Sequence, residues 1–220
     1  MTKLQAEQLR IRQGETVLFI GDSITDAGRQ YENPNDLGKG YVLMAAGLLS
    51  AARPDLQLTF FNRGIGGNRV GDLEQRWQSD CLDLKPDVVS VLLGINDVAR
   101  GFDRNEPIPA PEFAERYGKL LTAAKEQLGS RLIILEPFVL PTSDIRRQWR
   151  EDLDLKIHAL RDLAREIGAA YIPLDGLFAQ ASTQAPCTYW APDGVHPSPA
   201  GHALIASAWL KAAGMGGVIG

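Results

Sequence analysis

Apolar segments of strand length alternate with longer segments of helical periodicity along almost the whole chain. The short segments are aliphatic almost throughout, which predicts strands that are buried on both faces of a sheet. Their alternation with helices favours right-handed crossovers and parallel pairing. The sequence therefore predicts a three-layer α/β fold with a five-stranded parallel sheet. The predicted strands are residues 16–20, 56–61, 88–93, 132–135 and 170–174, and the predicted helices are residues 41–52, 70–82, 111–128, 147–167 and 199–213.

The chain has the length and composition of one globular domain. Its 220 residues are 45% hydrophobic and 23% charged, enough for a core that needs neither metals nor disulfides. We find no internal repeat and no Ser/Gly/Pro-rich linker, so we expect a single domain over residues 1–220. The two cysteines, Cys81 and Cys187, lack the close spacing of a zinc or redox motif. We expect reduced structural thiols, no metal and no cofactor.

Charge and hydropathy patterning restrict the partners. The net charge of −4 gives no basic surface of the kind that binds nucleic acid. No segment reaches the roughly 18 apolar residues of a membrane span. Residues 1–13 are polar and lack the apolar core of a secretory signal, which predicts a cytoplasmic protein. We expect a small-molecule partner, and the sequence leaves the oligomeric state open, a homo-oligomer included.

The motif Gly-Asp-Ser at residues 21–23 follows the first predicted strand. In open α/β sheets the ligand crevice lies at the carboxyl ends of the strands, so Ser23 is placed where a nucleophile would be useful. A serine hydroxyl needs a base before it can attack a carbonyl carbon. Taken alone, the motif is a weak signal, and an ordinary turn or helix cap is the favoured interpretation of Asp22 and Ser23.

Among three histidines, His196 is the best candidate for that base. His158 lies within a predicted helix among charged neighbours, and His202 lies early in the last helix, where a structural role is favoured. His196 instead lies in a loop, three residues after Asp193. This spacing lets one turn carry both side chains, so that Asp193 orients the imidazole toward Ser23.

Two further motifs follow the second and third predicted strands. Residues 62–68, Asn-Arg-Gly-Ile-Gly-Gly-Asn, form a glycine-rich segment, called the glycine loop below, whose backbone N–H groups could face a ligand. A dinucleotide-binding pattern would need glycine at Arg69 and fails there. Residues 94–97, Gly-Ile-Asn-Asp, place the Asn96 amide at the next strand end. An esterase needs such donors for its oxyanion, although a flexible turn and an Asx turn would also explain these motifs.

Taken together, these motifs resemble the SGNH-type (GDSL-like) hydrolases over nearly the whole chain. The likeness lies in residues 21–26, 62–68, 94–97 and 193–197, with isoleucine at position 24 where the GDSL motif has leucine. It implies a flavodoxin-like arrangement of the five parallel strands. The nucleophile elbow of ordinary α/β-hydrolases is absent, because Thr25 occupies its last glycine position.

The resemblance also implies the catalytic roles. Ser23 would be the nucleophile, His196 the general base and then acid, and Asp193 its orienting partner. The backbone N–H groups of Ser23 and Gly67, with the Asn96 amide, would form the oxyanion hole. By eye, the glycine loop leaves a choice between Gly66 and Gly67 for that donor.

Within this family the chain is similar to bacterial carbohydrate acetylesterases of the xylan-acetylesterase type. The resemblance implies an acetylated oligosaccharide as substrate, with Tyr189, Trp190 and Tyr31 as candidate sugar-stacking walls and Asp22 as a further candidate contact. Packing beneath the catalytic loop would explain these aromatic residues equally well. The main alternative function is a lipase or thioesterase acting on longer acyl groups. A non-catalytic sugar-binding relative and a phosphate-binding module are weaker alternatives, the latter because a P-loop lysine motif is missing.

Overall fold

The core of the structure, a computed structural model that describes residues 9–215, is a sheet of five strands. Their spatial order is β2-β1-β3-β4-β5, and every neighbouring pair is parallel. The chain moves from β1 to one side and then returns to its other side, which creates a topological switch point at β1. The strands are β1 (Thr16–Gly21), β2 (Thr59–Gly64), β3 (Val88–Leu92), β4 (Arg131–Leu135) and β5 (Ala170–Ile172).

Helices connect the strands and cover both faces of the sheet. Four of the five predicted helices lie within three residues of the observed bounds, and the fifth, Tyr41–Ala52, matches them at both ends. The helices are α1 (Ser23–Asp26), α2 (Tyr41–Ala52), α3 (Val70–Asp80), α4 (Ile95–Arg104), α5 (Ala110–Leu128), α6 (Asp144–Gln148), α7 (Arg150–Ile167), α8 (Leu174–Ala181), α9 (Cys187–Trp190) and α10 (Pro199–Ala212). The predicted three-layer α/β fold is confirmed.

The sequence prediction was wrong at several element boundaries. The second strand begins at Thr59 rather than at residue 56, because Pro54–Leu56 forms a short 3-10 turn and Gln57 has φ +47°. The fifth strand ends at Ile172, and α8 begins two residues later. Helices α1, α4, α6, α8 and α9 were not predicted, because they are short and lack a long apolar period.

The strand residues alternate between two hydrophobic clusters, as the period of two requires. Val17 and Phe19 pack into one cluster with α2 and α10, while Leu18 and Ile20 pack into the other with α3 and α5. All four of these side chains are fully buried. Burial on both faces explains why the strand has no polar alternation.

At the carboxyl edge of the sheet, three strand ends pack closely around Gly21. Gly21 pairs with Gly64 on one side and with Leu92 on the other. A Cβ atom on Gly21 would lie 2.0 Å from the Leu92 carbonyl oxygen, far inside van der Waals contact. The Ile65 backbone N–H also donates to the Gly21 carbonyl oxygen at 3.1 Å. The sequence therefore needs glycine immediately before the Asp22-Ser23 pair.

We predict that Gly21→Ala lowers the free energy of unfolding by about 3 kcal/mol or more, because the added methyl group overlaps backbone that cannot move freely. Gly47→Ala is the matched control. Gly47 lies exposed in α2 with open space around it, so alanine there should stabilise by about 0.5–1 kcal/mol. Urea denaturation of both variants measures the difference, and equal stabilities would contradict the prediction.

Candidate active site

Ser23, His196 and Asp193 form a connected chain of hydrogen bonds at the carboxyl edge of the sheet. The Ser23 Oγ lies 3.0 Å from the His196 Nε2, although 173 residues separate them. The His196 Nδ1 lies 2.7 Å from the Asp193 Oδ2. A carboxylate only accepts, so the proton belongs on Nδ1 and leaves Nε2 free to accept from the serine hydroxyl. This is the arrangement that activates a serine nucleophile.

A tight turn brings the Asp193 carboxylate to the ring of His196, three residues later. The Asp193 Oδ1 accepts from the backbone N–H groups of Val195 at 2.9 Å and His196 at 2.8 Å. Burial by itself would raise the pKa of Asp193, but these bonds and the His196 ring lower it below its usual 3.8. Gly194 has φ +84°, and a Cβ atom there would lie 2.5 Å from the Leu140 carbonyl oxygen. The turn therefore requires glycine at position 194.

This turn is held by hydrogen bonds from two other segments, the loop after β4 and helix α6. The Leu140 N–H donates to the Gly194 carbonyl oxygen at 2.8 Å. The Arg146 Nε donates to the Asp193 carbonyl oxygen at 3.0 Å, and its guanidinium lies 3.8 Å above the centre of the Trp149 ring. Sequence reasoning missed Arg146, because nothing in its local pattern indicates a backbone carbonyl partner 47 residues away.

The glycine loop lies next to Ser23. A Cβ atom built on Gly66 would lie 3.9 Å from the Ser23 Cβ. The Gly66 N–H donates to the Asp26 Oδ2 at 3.1 Å. Gly67 has φ +80°, and within residues 9–215 its N–H has no hydrogen-bond acceptor. The two candidate donors therefore differ, since the Gly66 N–H is already engaged.

Asn96 is tied to the same loop from the other side. It is the second residue of α4, directly after β3, and its Nδ2 donates to the Asn68 carbonyl oxygen at 3.1 Å. A side-chain amide has two N–H groups, so one of them is available to a ligand. The structure thus brings the motifs that follow β1, β2 and β3 to one place.

Arg76, on α3, is another residue that sequence reasoning missed. Its guanidinium donates to the Gly21 carbonyl oxygen at 2.9 Å and the Arg63 carbonyl oxygen at 2.7 Å. Its Nε donates to the Asn68 Oδ1 at 2.7 Å. One side chain therefore links the ends of β1 and β2 to the glycine loop.

Comparisons with known proteins identify the family of this chain. The family model of the GDSL-like lipase/acylhydrolases matches residues 19–204, which include every motif described above. The chain belongs to the GDSL-like lipase/acylhydrolase family. It is also 34% identical over 214 residues to the acetylxylan esterase of Geobacillus stearothermophilus, with 94% of this chain and 97% of that protein covered.

Solved structures of GDSL hydrolases show the same fold. A GDSL-like lipase from Parabacteroides merdae superposes with a TM-score of 0.89 at 34% identity, covering 94% of this chain and 99% of that one. The Geobacillus acetylxylan esterase superposes with a TM-score of 0.84 at 34% identity, covering 93% and 96%. Three further structures of that esterase are catalytic mutants, with alanine in place of a serine, an aspartate and a histidine. The family and these relatives make the present GDSL hydrolase a carboxylic ester hydrolase.

The expectation that Asp22 contacts substrate does not agree with the structure. Its side chain is 1% exposed, and its Oδ1 caps α1 by accepting from the Ile24 N–H at 3.0 Å. Burial raises the pKa of Asp22 to about 7, and the bond from Ile24 opposes this rise. The carboxyl group holds the first turn of α1 and offers no surface to a ligand.

The aromatic candidates separate into two kinds. Tyr31 and Tyr189 are 54% and 56% exposed, so their rings are open to a ligand. Trp190 is half-buried, and its indole N–H donates to the Ala181 carbonyl oxygen at 3.1 Å. Its ring meets Tyr189 edge-on with the centroids 5.0 Å apart. Trp190 therefore supports the segment before the turn that carries Asp193 and His196, and its ring packs against Tyr189.

The remaining titratable candidates lie outside the hydrogen-bonded triad. His158 is exposed on α7, as expected, and Cys81 and Cys187 are both free thiols. Among residues 9–215, no group of three or more His, Cys, Asp or Glu side chains is placed to hold a metal ion. Over the same range no helix is both long and apolar enough to cross a bilayer.

His202 has the structural role that its position on α10 suggested. Its Nδ1 accepts from the Tyr41 backbone N–H at 3.2 Å, and its ring stacks on the Tyr41 ring. Burial, with a smaller contribution from the nearby His196, lowers the pKa of His202 from 6.5 to about 4. The neutral ring is needed here, because a protonated Nδ1 cannot accept.

This shift predicts a pH dependence of stability. A lowered pKa in the folded state means that the unfolded chain binds the proton more tightly, so stability is lost as the pH falls from 6.5 toward 4. His202→Asn keeps an acceptor oxygen but cannot titrate. We expect the unfolding free energy of the wild type minus that of the variant to grow by about 1–3 kcal/mol as the pH rises from 4 to 6.5. Above pH 6.5 this difference should stay constant. Urea denaturation of both proteins at several pH values measures this difference. A difference that stays constant between pH 4 and 6.5 would contradict the role of His202.

Proposed function

We propose that this GDSL hydrolase is a serine esterase that removes short acyl groups, most of all acetyl, from carbohydrates such as xylo-oligosaccharides. The observation that carries the proposal is the hydrogen-bonded series Ser23, His196 and Asp193, with distances of 3.0 and 2.7 Å. The same three residue types are those replaced in the catalytic mutants of the Geobacillus acetylxylan esterase. The triad assignment and the acetyl-sugar substrate are both part of this proposal.

In the first step, the Ser23 Oγ attacks the acyl carbonyl carbon while its proton moves to the His196 Nε2. The imidazolium that forms is stabilised by Asp193, whose carboxylate accepts from Nδ1. The tetrahedral intermediate collapses, His196 gives the proton to the departing sugar oxygen, and the acyl group remains on Ser23. In the second step, water attacks the acyl-enzyme by the same route and releases the carboxylic acid and the free serine.

The oxyanion of each tetrahedral intermediate needs donors that are already in place. We assign the backbone N–H groups of Ser23 and Gly67 and the Nδ2 of Asn96. Gly67 is favoured over Gly66 because the Gly66 N–H is already bound to Asp26. Asn96 retains one amide N–H beyond the bond that it makes to Asn68.

A carbohydrate leaving group is supported by the exposed aromatic rings and by the named activity of the relative. Tyr31 and Tyr189 present flat apolar faces, which suit the C–H faces of sugar rings. The His196 and Asp193 side chains are 58% and 46% exposed, so the site is open enough for a bulky sugar ester.

We expect Ser23→Ala to lower kcat/KM for 4-nitrophenyl acetate by at least about 10³-fold, because the nucleophile is removed. Ser50→Ala is the control, since Ser50 is an exposed serine on α2 and its loss should leave the rate unchanged. Circular dichroism checks that both variants fold. Full activity of the folded Ser23→Ala variant would refute the assignment.

The substrate class is tested by comparing acyl lengths and leaving groups. We expect hydrolysis of aryl esters to fall steeply from acetyl to decanoyl, and acetylated xylobiose to be deacetylated at least about tenfold faster than acetylated chitin-derived sugars, judged by kcat/KM. Acetylated xylose serves as the short reference substrate. A preference for long acyl chains would instead favour a lipase or thioesterase that uses the same triad.

A further inference from the structure

Asp26 has no part in the proposed proton transfers, yet its carboxylate is buried and accepts three hydrogen bonds. It is the last residue of α1 and is 8% exposed. Its Oδ1 accepts from the Arg29 N–H at 3.1 Å. Its Oδ2 accepts both from the Gly66 N–H at 3.1 Å and from the Tyr31 hydroxyl at 2.5 Å. A buried carboxylate with three donors is held in one orientation.

We propose that Asp26 is a positioning residue for catalysis, which holds the glycine loop so that the Gly67 N–H faces the developing oxyanion. This inference rests on the proposed esterase mechanism and deepens it. Asp26 touches no reacting atom and acts through Gly66.

The backbone of Asp26 is rigidly joined to the nucleophile. Its N–H donates to the Asp22 carbonyl oxygen at 2.9 Å, and the next N–H, that of Ala27, donates to the Ser23 carbonyl oxygen at 3.0 Å. Helix α1 also packs against the end of β2 so closely that a Cβ atom on Gly64 would lie 2.1 Å from the Asp26 nitrogen. Asp26 and Ser23 therefore move as one unit.

The carboxylate extends this unit to the glycine loop. Because the Gly66 N–H points at Asp26, the peptide plane that precedes Gly66 is fixed relative to Ser23. The adjacent N–H, that of Gly67, is then left for a ligand. Other contacts reach the loop from β1, α3 and α4, through Gly21, Arg76 and Asn96. The Asp26 bond ties it to the helix that carries the nucleophile.

Arg29 and Tyr31 complete the cluster around the carboxylate. The Arg29 Nε donates to the Gly64 carbonyl oxygen at 2.8 Å, within the glycine loop. The Arg29 guanidinium lies 4.4 Å above the centre of the Tyr31 ring. Tyr31 is therefore an exposed ring whose hydroxyl is anchored to the oxygen that also holds Gly66.

The expected loss of kcat in an Asp26 variant follows from the loss of rate that a misplaced oxyanion donor causes. Removing one oxyanion donor lowers kcat by about 10²- to 10³-fold, and a shift of about 1 Å in a catalytic group can cost about 10²-fold. Loss of the Asp26 carboxylate leaves the Gly67 N–H present but less well directed. We expect kcat to fall about 10- to 100-fold while KM changes less than about threefold, because the donor acts mainly in the transition state.

The experiment compares Asp26→Ala and Asp26→Asn with Asp36→Ala, using 4-nitrophenyl acetate. Asp36 is the matched control, because its carboxylate also binds backbone N–H groups, those of Gln30 and Gly38, but does not contact the glycine loop. A small alkyl boronic acid, which forms a tetrahedral adduct with an active serine, reports on the oxyanion site directly. We expect its affinity to fall in Asp26→Ala in parallel with kcat.

Asp26→Asn keeps the shape of the side chain and one acceptor oxygen, but its amide nitrogen must face a donor. We expect it to recover part of the lost kcat while remaining at least about threefold below the wild type, and it carries the test if Asp26→Ala does not fold. Asp36→Ala should stay within about twofold of the wild type. An unchanged kcat in a folded Asp26 variant, or an equal loss in Asp36→Ala, would overturn the inference.

Ser23→Ala measured in parallel separates this inference from the proposed function. If Ser23→Ala stays active, the triad assignment fails, and Asp26 then has no oxyanion site to position. If Ser23→Ala is inactive while both Asp26 variants keep full activity and full affinity for the boronic acid, the esterase mechanism stands and the role of Asp26 is refuted.

Discussion

Close backbone packing at the end of β1 is the constraint on which the site depends. Gly21 lies between Gly64 and Leu92, with no room for a side chain, and its carbonyl oxygen accepts from Ile65 and from Arg76. Parallel strands bring their carboxyl ends to one edge, but here that edge is narrow enough for backbone groups of different loops to meet. Backbone contacts therefore arrange Ser23, the glycine loop and Asn96 relative to one another, before the contacts of their side chains are considered.

The site includes buried charge that the fold alone would not favour. Asp22 and Asp97 are almost fully buried, and burial raises the pKa of each to about 7. A raised carboxyl pKa in the folded state means that stability is lost as the pH rises from 3.8 toward 7. Each carboxylate accepts from a backbone N–H group at the start of a helix. Asp22 accepts from Ile24 in α1, and Asp97 accepts from Val70 in α3. The burial of Asp22 and Asp97 thus lowers the stability of the fold at neutral pH, while their hydrogen bonds hold the first turns of α1 and α3 in place.

The parts of the fold that could be predicted are those set by local patterns. The helix Tyr41–Ala52 and the start of β3 at Val88 follow from periodicity and from aliphatic runs. The helices α1 and α4 could not be found in this way, because each begins within a few residues of a strand and neither carries a long apolar period. The roles of Arg76, Arg146 and Asp26 were not predicted either. Their partners are backbone groups of other segments, and no spacing along the chain reveals them.

By itself, the sequence determined which side chains could react. It also determined the turn from Asp193 to His196, because the hydrogen bonds that build this turn join residues at most three positions apart. It also determined that the strands would be buried on both faces. Only the tertiary structure decided that Ser23 and His196 meet at 3.0 Å, that the Gly66 N–H belongs to Asp26, and that Asp22 is buried away from any ligand. Those outcomes depend on which distant segments the folded sheet brings into contact, and a linear pattern does not contain that information.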